Sequence, residues 1–100
     1  MVSRERVRES LIEQLRLRGT DTDLNLSLVD DYMSYFDEER KALKSLAEKG
    51  DTFKAISSTG KEYDKENPAV RNLEVFNRRM IDILKILNVT EAVEADLGEL

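Results

Sequence analysis

One hundred residues carrying 40% hydrophobic side chains, 37% charged side chains and a net charge of −5 fit one soluble domain around one core. Without cysteine or histidine the chain has no disulfide framework, no thiolate metal site and none of the commonest general base. Four glycines and one proline leave little room for a turn-rich β architecture, and no stretch approaches the ~20 apolar residues of a membrane helix.

The N-terminal ten residues put no apolar run behind their charges, so no signal peptide is expected and the expected compartment is intracellular. Charge is unevenly placed. Residues 1–18 hold five Arg against three Glu, and residues 89–100 hold four acids and no base. An acidic total argues against a chain that grips nucleic acid over its whole surface, and leaves room for a local basic patch.

Residues 3–18 predict a first helix, with Val7, Leu11, Ile12 and Leu15 as its apolar face and Gly19 as its stop. Arg4, Arg6, Arg8, Arg16 and Arg18 decorate the remainder and form the densest basic cluster of the chain. Glu5, Glu9 and Glu13 recur every four residues and can pair with these cations on one face. Residues 19–23 read as a linker of turn residues.

A second helix is expected over 26–49, ended by Gly50. Val29, Tyr32, Phe36, Leu43 and Leu46 make its seam, with Glu39 at the missing seam position, and Leu28, Tyr35 and Ala42 a second row. Residues 52–64 break the helical pattern. Phe53, Ile56 and Tyr63 flank Ser57-Ser58-Thr59-Gly60, which predicts a β-hairpin with positive φ at Gly60. Such a hairpin is marginal alone, so it leans on the helices or pairs with a hairpin of another copy. Gly60-Lys61 is not a phosphate-binding loop, because Ala55 and Glu62 stand where glycine and a hydroxyl are needed.

The most organised stretch is 68–88. Asn67 and Pro68 make a helix start, and Ala69, Leu73, Phe76, Met80, Ile83 and Leu87 follow at spacings of 4, 3, 4, 3 and 4. Val70, Ile81 and Leu84 widen the seam on one side, Val75 and Ile86 on the other. That arc exceeds what one partner helix covers, which predicts a homo-oligomer with Phe76, Met80, Ile83, Leu84 and Leu87 in part between subunits. After Asn88 comes the acidic segment 89–100, short of apolar residues.

Catalytic chemistry is poorly provided for. Asp30-Asp31 and Asp37-Glu38-Glu39 lie on a helix, where neighbours diverge by about 100° and do not share one metal. No nucleophile–base pair is visible, so neither an enzyme nor a cofactor nor a bound metal is expected.

The ordered set EQLRLRG (13–19), LSLVDDYMSYF (26–36) and ISSTGKEYDKENPAVRNLEVFNRRMIDILKILNVT (56–90) resembles the small subunit of bacteriophage terminase. The similarity is to a compact family with an NP-initiated C-terminal helix, and it spans roughly residues 11–90. Its most telling parts are Asn67-Pro68-Ala69-Val70, Asn77-Arg78-Arg79-Met80 and Leu87-Asn88-Val89-Thr90. The resemblance implies a non-catalytic DNA-packaging component that forms rings, binds double-stranded viral DNA and regulates the terminase large subunit. An N-terminal helix-turn-helix, usual in better-known small subunits, is not evident.

The expected architecture is a mainly α domain, 1–100: a long antiparallel helical hairpin, an N-terminal helix and an inserted β-hairpin. The expected DNA contacts are Arg4, Arg6, Arg8, Arg16 and Arg18, followed by Arg71, Arg78 and Arg79 or by Lys54 and Lys61. Glu91, Glu94, Asp96 and Glu99, with Val93, Leu97 and Leu100, are expected to dock the large subunit. The alternative is a helical interaction protein that oligomerises without touching DNA.

Overall fold

The computed structural model describes residues 3–89. Its elements in chain order are helices α1 (Arg4–Leu17) and α2 (Asp23–Lys49), strands β1 (Thr52–Ile56) and β2 (Glu62–Glu66), and helix α3 (Ala69–Leu87). The chain is mainly helical, with a two-stranded antiparallel sheet inserted between the two long helices. The acidic segment lies outside the described residues from Thr90 onward, and with it the expected large-subunit contact.

Each helix end has a local cause. The Ser3 hydroxyl accepts from the Arg6 N–H at 3.3 Å and starts α1. At the other end Gly19 N–H donates to Arg16 and Thr20 N–H to Leu15, a pair of bonds that closes the helix around a left-handed Gly19. Helix α2 starts three residues before the expected Leu26. Thr22 accepts from Asn25 N–H at 3.2 Å, and Asp23 sits favourably in the first turn. Thr22 and Asp23 are therefore the cap and first residue of α2, and the linker is confined to the residues before them. Gly50 ends α2 with φ 75° and ψ −176°, a conformation open essentially to glycine alone. Asn88 closes α3 in the left-handed region, which asparagine tolerates better than most residues.

Helices α2 and α3 run antiparallel. Tyr35 meets Phe76 with ring centroids 6.3 Å apart, and further along Ser45 meets Asn67. Helix α1 lies antiparallel on α2 in turn, since Arg4 reaches Asp37 and Arg8 reaches Asp30. One core fills the space among the three: Leu11 and Leu15 from α1, Val29, Met33 and Phe36 from α2, and Met80, Ile83 and Leu87 from α3. Met33, outside the expected seam, is among its most deeply buried members, whereas Leu43, inside that seam, is exposed. The reason is length. Arg4, at the start of α1, lies beside Asp37, so beyond that point no third helix among the described residues covers α2.

The hairpin joins the far end. Its strands pair Phe53 with Lys65 and Ala55 with Tyr63, and Lys54 bridges to Asp64 at 2.8 Å. Strand β2 runs to Glu66, two residues beyond the expected end. Gly60 has positive φ, as the turn requires. All five residues of β2 are exposed, so the hairpin projects from the bundle.

Candidate nucleic-acid interface

DNA affinity comes mainly from cations free to displace counterions at phosphates. Each cation must therefore be asked what it already holds. On α1, Arg4 Nε lies 2.8 Å from Asp37 and its Nη1 3.0 Å from Glu5. These carboxylates, Asp37 foremost, raise the pKa of its guanidinium still further. Arg8 lies 3.7 Å from Asp30, and Arg16 2.7 Å from Glu13. Arg18 is half-buried at the C-cap. Arg6 is exposed and in no ion pair among the described residues. The cluster that dominates the sequence is thus largely engaged: Arg4 and Arg8 fasten α1 to α2, and Arg16 pairs along its own helix.

Helix α3 differs. It holds Arg71, Arg78, Arg79 and Lys85 against Glu74 and Asp82, a balance of +2, the most basic of the three helices. Helix α1 balances at +1 over Arg4–Leu17 and α2 at −3 over Asp23–Lys49. Arg71, Arg78 and Lys85 recur every seven residues, so they form one row along α3, two turns or about 10.5 Å from each to the next. All three are exposed. Arg71 bonds Glu66 at 3.0 Å with its side chain still largely in solvent, and Arg78 and Lys85 are in no ion pair among the described residues. Glu74 and Asp82 flank the row, so its field is positive but not unopposed.

The row belongs to the solvent face because the opposite face of α3 is committed to the core. Of the five residues expected between subunits, Met80, Ile83 and Leu87 are buried within the protomer, and Phe76 and Leu84 are half-buried against α2 and the core. The seam packs on α1 and α2 within the protomer, and the exposed apolar residues stand on its two flanks, Ile81 on one and Val75 and Ile86 on the other. Lys85 escaped the sequence reading although the seven-residue spacing from Arg71 and Arg78 was visible.

On the hairpin, Lys54 is held by Asp64, and Lys61 stands exposed in the turn. Tyr32 has a displaced titration too: burial, then the charge of Glu39, raises its phenol above the ordinary 10.0. Asp30 and Asp37 are occupied by Arg8 and Arg4, and no cluster of three acidic side chains among the described residues suits a metal. No described helix is long and apolar enough to cross a membrane.

No protein-family model matches the chain, and no curated protein and no solved structure matches it.

Proposed function

We propose that the protein is a non-catalytic, oligomeric DNA-binding adaptor, a phage terminase small subunit that recognises viral DNA and regulates the large-subunit motor. The observation that supports it in the fold is the row Arg71, Arg78 and Lys85, exposed on the most basic helix. The terminase resemblance of residues 11–90 supplies the biological setting. The phosphate contact assigned from sequence to α1 moves to α3 in this reading, because α1 spends Arg4 and Arg8 on α2.

Phosphate contacts fix position and carry no sequence information, so the row supplies affinity and not selection of a site. A second reading, an assembly protein that never meets DNA, is favoured by the net charge of −5 and by an open helical face described below. The two part on one experiment. Fluorescence anisotropy with a duplex at about 50 mM salt should show binding that Arg78→Ala with Lys85→Ala weakens about tenfold or more, with oligomer mass unchanged. Binding that survives both substitutions intact refutes the α3 row, and absence of binding by the unmodified protein favours the second reading.

A further inference from the structure

Helix α1 covers one face of the α2–α3 pair, and among the described residues the other face is open. Successive helical residues point about 100° apart, so Asp30, which meets α1, and Asp31 occupy different sides of α2. On the open side Leu28, Asp31 and Tyr35 of α2 face Arg79, Asp82 and Ile86 of α3 across a groove of about 550 Å³. Two rows run along it. Leu24 extends the α2 row and Val75 the α3 row, each with spacings of 4, 3 and 4. Three of the four row ends are bare, Leu24 at 72% exposed, Ile86 at 66% and Val75 at 45%, while Tyr35 is half-buried against Phe76.

We propose that this face seats a second copy of the chain, and that it is the contact by which the oligomer of the proposed function forms. Three observations choose that occupant. The first is charge. Asp31, Asp82 and Arg79 make no ion pair among the described residues, so one copy presents both the acids and the base that another needs. The second is shape. The radius of gyration is 18.4 Å within extents of 62 × 28 × 18 Å, against about 13 Å for a compact chain of this length. Beyond Asp37 the α2–α3 pair is one layer deep. Where α1 backs it, the opposite side is still uncovered among the described residues, so a second copy stacked there gives the long helices a layer on each side. The third is area. Nineteen residues of α3 at about 1.5 Å each give a length of about 28 Å. Two helices about 10 Å apart and each about 10 Å across give a width of about 20 Å, a face on the order of 600 Å², the lower end of what each partner gives to a stable interface.

The contact is specific in what it needs. Leu24 and Ile86 supply exposed apolar ends, and the Arg79 guanidinium lies among carboxylates that are opposite in sign when two copies meet. The row Arg71, Arg78 and Lys85 adjoins this face, with Asp82 at the boundary between the two, so the row itself stays in solvent while one acidic residue borders both surfaces.

Light scattering behind size exclusion tests the proposal. The unmodified protein at micromolar concentration should give a mass that is a multiple of 11.5 kDa. Leu24→Glu and Ile86→Glu, each made at an exposed side chain, should each raise the dissociation constant about tenfold or more while the circular dichroism of the helices is retained. Arg79→Glu should weaken assembly likewise, and adding Asp31→Arg with Asp82→Arg should restore it. Should Ile86→Glu unfold the chain, Leu24→Glu carries the test at the more exposed position. A monomer in the unmodified protein overturns the proposal. An oligomer untouched by Leu24→Glu and Arg79→Glu overturns this surface while leaving an oligomeric adaptor standing, and the DNA measurement on Arg78→Ala with Lys85→Ala judges that adaptor separately.

Discussion

Asn67 shows how much one side chain settles. It is buried at 3% exposure, at the point where the hairpin returns to the helices. Its Oδ1 accepts from Ala69 N–H at 3.1 Å and caps α3. Its Nδ2 donates to Ser45 Oγ at 3.1 Å and to the Gly50 carbonyl at 3.0 Å, and its own N–H donates to Asp51. One amide therefore ties the start of α3 to the end of α2, and every polar atom of the side chain is used. Asn67→Ala removes three bonds and strands buried partners, so it should lower stability by about 1–3 kcal/mol in urea unfolding. Asn67→Asp keeps the acceptor for Ala69 but turns a carboxylate toward the Gly50 carbonyl, so it too should destabilise. Equal stability of both variants with the parent would contradict this role. The cap was legible in the pair Asn67-Pro68. The ties to Ser45 and Gly50 were not, because they depend on how the hairpin folds back and no local spacing encodes that return.

At the scale of elements, α1 owes its attachment to four apolar residues, Val7 and Ile12 at the margin of the core and Leu11 and Leu15 within it, and to two bridges. Leu11 and Leu15 enter the core, and Arg4 and Arg8 clasp Asp37 and Asp30. Exposed pairs of this kind add little stability and are screened by salt. Arg4→Ala with Arg8→Ala should therefore lower the melting temperature slightly at low salt and less at high salt, leaving duplex affinity nearly unchanged. A large loss of DNA binding with unchanged melting would return the phosphate contact to α1.

The same element explains what the sequence could and could not show. Periodicity located all three helices and the hairpin, and missed the start of α2 because Thr22 and Asp23 serve turns and caps alike. It could not rank cations. Arg4 and Arg78 look alike as exposed helical cations in sequence, and what sets Arg4 apart most is Asp37, 33 residues away in the chain and 2.8 Å away in space. Nor could it divide the apolar arc of α3 between covered and open sides. The seam went to α1 and α2, and Ile86 on the flank was left bare.

The whole molecule is an acidic, thin plate with a basic row on one helix, and its charge decides how DNA could be held at all. A single chain offers three cations in that row, and with about 0.9 counterion released per phosphate contact, its salt slope has a ceiling near −2.7. Several copies arranged on one duplex multiply that number without any new contact. The central claim, an oligomeric adaptor holding DNA through α3, is tested most directly by the slope of log affinity against log salt for a duplex. The account predicts a slope steeper than about −2.7 for the unmodified protein, reduced when Arg78 and Lys85 are both replaced by alanine. A slope near zero, or one that ignores those two residues, would contradict it.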